Sequence, residues 1–72
     1  MWILSQEKDS LVKTKSINAA MGIGGSGIVY SKDKDLTLGY YATVERAEEV
    51  ITEMIEFLNE NYKTVVFEMP EE

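Results

Sequence analysis

The sequence predicts an α+β fold, in which one long amphipathic helix packs across a small antiparallel β-sheet. Apolar residues recur at three- and four-residue spacing between Thr43 and Tyr62, which is the period of a helix with one buried face. Short runs of apolar and β-branched residues, some of them alternating, lie before and after it and are bounded by glycine-rich or charged turns, which is typical of strands. Seventy-two residues predict a single domain, residues 1–72.

The predicted helix carries its apolar side chains on one stripe. Thr43 is suited to be the N-cap, and Glu45 lies in the first turn, where the helix dipole favours a carboxylate. Asn59, Asn61 and Lys63 indicate the C-terminal end. An isolated helix of this length is marginal in water, so strands must cover the stripe. The stripe consists of Ala47, Val50, Ile51, Met54, Ile55 and Leu58.

Five strands are predicted around this helix. Short turns join the first four, which should therefore form an antiparallel meander, with an irregularity near Lys13 to Lys15. The last strand is apolar on both faces, so it either returns along the sheet or pairs with a second subunit, and Pro70 ends it. The predicted segments are residues 2–5, 11–20, 28–30, 36–41 and 64–69.

Composition argues against catalysis. The chain has no cysteine and no histidine, which removes the commonest general base, the thiol nucleophile and the usual zinc ligands. We therefore expect no enzyme activity, no catalytic residues, no metal and no cofactor. The net charge is −6, and residues 37–72 carry nine acidic residues against Arg46 and Lys63. This acidic half disfavours nucleic acids and anionic membranes, and it favours a basic partner.

Length and hydropathy set two further expectations. A chain this short buries little surface when it folds, so a homo-oligomer is expected to supply the missing stability. Residues 1–4 are apolar but too few for a secretory signal, and no run reaches the 18 apolar residues of a membrane span. The expected location is the cytoplasm.

Two segments are candidate ligand sites. Gly24, Gly25 and Ser26 lie in a glycine-rich run that either forms a hairpin turn or cradles an anion, with Lys32 among the neighbouring lysines. The run lacks the Lys-Ser/Thr pair and the following helix of a nucleotide-binding loop. Thr43 and Arg46, at the helix start, also suit a carboxylate or phosphate. Alternatively, Arg46 pairs with acids of its own chain.

Aromatic and acidic surfaces provide the remaining candidates. Trp2 and Tyr41 suit either the core or an interface, and of the neighbours Tyr40 and Tyr41 one should be buried and the other exposed. The glutamates opposite the apolar stripe either form a solvated face or bind a basic protein, including one that normally binds DNA. A catalytic carboxylate pair is disfavoured because these side chains are open to water.

Three blocks of the sequence carry a resemblance. The chain resembles short uncharacterised proteins of Gram-positive bacteria and their phages in the blocks MWILSQ, LGYYATVERAEEVITEMI and FEMPEE. Those proteins open with MWI-x-SQ, carry LG-x-Y-x-T-x-ERA and close on MPE. Most of residues 13–35 is outside the resemblance. It implies a phage or prophage accessory protein that inhibits or sequesters a host factor, such as a factor of host defence. The alternatives are an oligomeric sponge for a nucleotide-like anion and a structural module with no ligand.

Overall fold

The computed structural model describes residues 2–60 and 66–72, and it has the expected α+β fold. One helix packs across small β-sheets, and a short 3₁₀ turn, Ile23–Gly25, lies between two of the strands. The elements are β1 (Trp2–Leu4), β2 (Leu11–Lys13), β3 (Ile17–Met21), β4 (Gly27–Ser31), β5 (Leu36–Tyr41), α1 (Val44–Glu60) and β6 (Val66–Glu68).

The strands form two three-stranded sheets instead of one meander. One sheet is antiparallel, in the order β3-β4-β5, and the other has the order β2-β1-β6. The predicted strand 11–20 is therefore split, because the hydroxyl of Thr14 bonds the main chain of Ser16 and interrupts the strand. The irregularity expected near Lys13 to Lys15 is confirmed.

The last strand returns to the start of the chain. β6 pairs in parallel with β1, placing Ile3 opposite Phe67, and β1 pairs antiparallel with β2. Phe67 is buried in the core, whereas Val66 and Glu68 are exposed. Of the two predicted arrangements for this strand, pairing within the chain is the one observed. The predicted strand start at Thr64 lies outside the described residues.

The helix begins as predicted. The hydroxyl of Thr43 accepts a hydrogen bond from the amide of Arg46 at 3.1 Å, which confirms the N-cap. Ala47, Val50 and Met54 of the predicted stripe are buried in the core. The predicted helix end at Tyr62, and the end signals Asn61 and Lys63, lie outside the described residues.

The C-terminal half of the stripe differs from the prediction. Ile55 and Leu58 are 54% and 41% exposed, so the prediction that they are buried is wrong. Phe57 packs instead against the core, with its ring edge-on to Phe67 at 5.4 Å between centroids. An aromatic partner on β6 thus turns the buried face of the helix toward Phe57.

The helix covers one face of the β3-β4-β5 sheet, and a glycine allows its close approach. A Cβ atom on Gly27 would overlap the main-chain oxygen of Thr43 and lie 2.8 Å from the Cβ of Ala47. Val29 and Leu38 lie beneath the helix and are almost fully buried. Within residues 2–60 and 66–72, no helix is both long and apolar enough to cross a membrane.

Candidate functional site

The helix surface that faces away from the core carries a line of carboxylates. Six glutamates are three or four residues apart, except for the adjacent pair Glu48 and Glu49, so they share one side of the helix and extend over roughly 22 Å. All six are exposed to solvent. We call this line the acidic row; its members are Glu45, Glu48, Glu49, Glu53, Glu56 and Glu60.

Two members of the acidic row share one cationic partner within the chain, Arg46. Nη1 of Arg46 lies 2.5 Å from a carboxylate oxygen of Glu53 and 3.4 Å from one of Glu49. In the part of the chain that the structure describes, the other four have no ion-pair partner. Among the described residues, four of the six carboxylates therefore project from one helix without an ion-pair partner. These four are Glu45, Glu48, Glu56 and Glu60.

Arg46 is engaged by its own chain. Its Nε and Nη2 both donate to the main-chain oxygen of Glu72, at 2.9 and 2.8 Å, and the guanidinium lies 5.9 Å from the centroid of the Tyr41 ring. The hydrogen bond to Glu53 is the main cause that raises the pKa of Arg46. Each nitrogen of the guanidinium thus has an intramolecular partner, which is the alternative to an anion site that the sequence left open.

The last four residues are held by side chains from distant segments. The phenol of Tyr41 donates to the main-chain oxygen of Pro70 at 2.9 Å, and Nε2 of Gln6 donates to that of Glu71 at 2.7 Å. The amide of Met69 donates to Leu4 at 3.1 Å. Burial raises the pKa of Tyr41 to about 12. We call Gln6, Tyr41 and Arg46 the tail clamp.

The tail clamp and the tail that it holds come from the three sequence blocks that carry the resemblance. Gln6 comes from the first block, Tyr41 and Arg46 come from the second, and residues 69–72 belong to the third. These blocks are far apart in sequence and meet at one end of the molecule. The sequence left open a contact of Arg46 with the C-terminal acids, but the contacts of Gln6 and Tyr41 with the tail were not predicted. The contact gives these residues a structural role.

The glycine-rich segment forms a hairpin turn between β3 and β4. Gly24 and Gly25 have φ of 68° and 81°, a region that favours glycine. The hydroxyl of Ser26 donates to the main-chain oxygen of Ile23 at 2.9 Å, and the amide of Gly22 donates to Ser26. The Ser26 hydroxyl is therefore engaged inside the turn.

The predicted anion-binding residues are not gathered at one place. The turn adjoins the pair Met21–Gly27, whereas Lys32 follows the pair Ile17–Ser31 at the other end of the hairpin. Four residue-to-residue steps along each strand separate these pairs, or roughly 13 Å. Thr43 lies beside Gly27 and so is near the turn. Lys32 is distant from it.

The aromatic candidates divide between core and surface. Tyr41 is buried, and its neighbour Tyr40 is 64% exposed, which confirms that one of the two is core. Tyr41 therefore contacts the tail of its own chain, and Tyr40 is the tyrosine that faces solvent. Trp2 is half-buried in β1, opposite Lys13 on one side and Val66 on the other.

A cluster of two hydroxyls and a carboxylate was not predicted. The hydroxyls of Thr14 and Ser31 lie 2.6 Å apart, and both donate to Oδ1 of Asp33. The amide of Lys15 donates to Oδ2 at 3.3 Å. These bonds, with that from Thr14 foremost, hold the pKa of Asp33 well below its usual range. The cluster closes the turn after β4 where strand 11–20 is interrupted.

Within residues 2–60 and 66–72, no group of three or more acidic residues is arranged to hold a metal ion. Comparisons with protein-family models, with curated proteins and with solved structures find no match. The function of the protein is therefore inferred from the chemistry of the surfaces described above.

Proposed function

We propose that this protein acts by binding and not by catalysis, and that the acidic row of α1 is its docking surface. The observation that carries the proposal is the set of four exposed glutamates without ion-pair partners on one side of a helix, among the described residues. The partner we propose is a protein with a basic surface.

The acidic row has two properties that favour a protein partner. Buried side chains hold the helix against the sheet, so the backbone positions that carry the glutamates are fixed in relation to one another before binding. Their spacing over roughly 22 Å matches a protein surface better than a single small ligand. Opposite charges on a partner would speed association and form charge-assisted hydrogen bonds.

A catalytic role for the same carboxylates has little support. General acid or base chemistry needs a carboxyl group whose pKa is shifted by burial or by a close charge. The glutamates of the acidic row are exposed to water on a helix surface. Binding is the role that such solvated charges perform directly.

The sponge for a nucleotide-like anion has less support than a protein partner. It needs the glycine-rich turn, Lys32 and Arg46 to act together. Lys32 lies at the far end of the hairpin, and Arg46 is bound to Glu72 and Glu53. We therefore favour binding of a protein through the acidic row over binding of an anion at the glycine-rich turn.

The resemblance in the three sequence blocks supplies the biological setting of the proposal. A small acidic protein encoded by a phage or prophage would occupy the basic surface of a host factor in the cytoplasm and so inhibit or sequester that factor. Host factors that bind nucleic acids carry such basic surfaces, and a line of carboxylates competes with phosphates for them.

Capture from Gram-positive cell extract tests the proposal with two charge-matched variants. The row variant changes the four unpaired glutamates of the acidic row to glutamine: Glu45, Glu48, Glu56 and Glu60. The control variant also removes four charges, through Glu7→Gln, Asp35→Asn, Glu68→Gln and Glu71→Gln. We expect the wild type and the control to capture one common basic protein that the row variant does not capture. Capture of the same proteins by all three would overturn the proposal.

A further inference from the structure

The hairpin made of β3, the glycine-rich turn and β4 is the least charged part of the molecule. Residues 16–31 contain no charged side chain, although the whole chain has 28% charged residues. At its tip, Met21 and Ile23 are 68% and 98% exposed. Such a surface in an acidic protein is a place where another chain can approach without electrostatic repulsion.

One edge of this hairpin has unpaired main-chain groups. The amide of Lys32 donates to Ser16, and the amide of Gly22 donates to Ser26, so the even-numbered residues of β3 hydrogen-bond to β4. The amides and carbonyls of Ile17, Ala19 and Met21 consequently point away from β4. In the described residues, no strand pairs with that side of β3.

The other sheet edges are protected. The outer edge of β5 is occupied by Gln6, whose main chain bonds Leu38 and whose side chain bonds Tyr40. β2 and β6 have three residues each and contain Lys13 and Glu68, and charged side chains on short edges discourage pairing. β3 has five residues and neither charge nor proline. It lacks the features that normally block an edge.

We infer that β3 pairs antiparallel with β3 of a second copy of this chain, which joins two three-stranded sheets into one six-stranded sheet. The segment is complementary to itself in this register, since Ala19 faces Ala19 of the other copy and Ile17 faces Met21. The outward groups of the three residues form about six main-chain hydrogen bonds between the copies.

Side-chain placement supports this register. Ile17 and Ala19 lie on the face of the sheet that packs against the core, and Met21 shares that face. Pairing would lay the exposed Met21 of each copy beside the half-buried Ile17 of the other. Both helices then lie on the same side of the joined sheet, with the acidic rows still facing solvent.

The uncharged hairpin permits a second copy as the occupant. Each chain carries a net charge of −6, so two copies repel one another, and this repulsion is weakest when they meet through a surface where neither is charged. The neutral hairpin meets this condition on both sides of the interface. Repulsion between the two copies is reduced by salt, so the dimer should tighten as salt is added.

Sedimentation velocity from micromolar to millimolar concentration tests the inference with three variants. Ala19→Pro removes an outward amide but no bond to β4, and proline is tolerated at such edge positions. Met21→Lys puts a charge beside the second copy at a side chain that is exposed in the single chain. Ile23→Lys is the matched control, because it adds the same charge at the hairpin tip outside the paired strand.

We expect the wild type and Ile23→Lys to sediment at twice the mass of one chain, and Ala19→Pro and Met21→Lys to sediment as folded monomers, with dissociation constants at least about tenfold higher. Hydrogen exchange should protect the amides of Ile17, Ala19 and Met21 in the wild type and expose them in Met21→Lys. A monomeric wild type, a dimer that survives Met21→Lys, or fast exchange at these amides in the dimer would overturn the inference.

Discussion

The carboxamide of Gln6 pairs with the main chain of Tyr40 as a neighbouring strand would. Its Oε1 accepts from the Tyr40 amide at 2.8 Å, and its Nε2 donates to the Tyr40 carbonyl at 2.8 Å. The same Nε2 donates to Glu71 at 2.7 Å. One side chain therefore closes the edge of β5 and fixes the tail of the chain.

Replacing Gln6 by alanine should destabilise the fold. The change removes exposed hydrogen bonds to the main chain of Tyr40 and Glu71, which water replaces in part, at a net cost of about 1 kcal/mol. Urea unfolding followed by circular dichroism measures this cost. Glu7→Ala is the control in the same turn and should leave the midpoint unchanged. Equal stability of Gln6→Ala and the wild type would disprove the role given to this side chain.

Gly27→Ala should also destabilise the protein. The added methyl group overlaps the main-chain oxygen of Thr43 and crowds Ala47, so the helix must move away from β4. Overpacking of this kind costs about 1–3 kcal/mol. Thermal unfolding of Gly27→Ala and of Gly24→Asn provides the comparison, because Gly24 meets no neighbour and asparagine tolerates its φ of 68°. A melting temperature lower for Gly24→Asn than for Gly27→Ala would contradict this account.

Acid should weaken the wild type more than Asp33→Asn. Hydrogen bonds from Thr14, Ser31 and Lys15 hold the folded-state pKa of Asp33 below its unfolded value. The folded state then binds fewer protons than the unfolded state, so this contribution is complete above about pH 4 and is lost as the pH falls further.

Urea unfolding at several pH values below about 4, and at neutral pH, measures the free energy of unfolding. Asp35→Asn is the matched control, since it removes a carboxylate of the same turn that is outside the hydroxyl cluster. We expect the stability difference between the wild type and Asp33→Asn to shrink in acid. The stability difference between the wild type and Asp35→Asn should not shrink in this way. A difference for Asp33→Asn that is independent of pH would refute the linkage.

The two halves of the predicted helix stripe should respond differently to truncation. Met54→Ala leaves a cavity under the helix and should cost about 2–5 kcal/mol, because Met54 is buried. Leu58→Ala should cost less than about 1 kcal/mol, since that side chain is 41% exposed. Denaturant unfolding of both variants measures the costs. Similar losses for the two would mean that the helix is rotated relative to the face described here.

Local patterns in the sequence were sufficient for the helix start and for the fold class. The N-cap at Thr43 and the burial of Ala47, Val50 and Met54 follow from spacing and capping chemistry, which act within a few residues. The packing of Phe57 against the core in place of Leu58 did not follow, because it depends on Phe67, a contact between segments distant in sequence.

The same distinction between local patterns and contacts of distant segments applies to the candidate site. The row of glutamates is a property of one helix and was visible in its spacing. The sequence offered pairing of Arg46 with acids of its own chain as one of two alternatives, but it did not predict the bond from Tyr41, because its partner Pro70 reaches it only through the fold. The separation of Lys32 from the glycine-rich turn likewise depends on hairpin register, which needs the pairing of Ile17 with Ser31.

Calorimetry of the captured basic protein, in purified form, tests the proposed binding role most directly. Titrations at about 0.05 M and about 0.3 M salt compare the wild type, the row variant and the charge-matched control. We expect the row variant to bind about tenfold or more weakly at low salt and to lose most of the salt dependence, while the control binds like the wild type. Equal affinity of the row variant and the control at both salt concentrations would contradict binding through the acidic row.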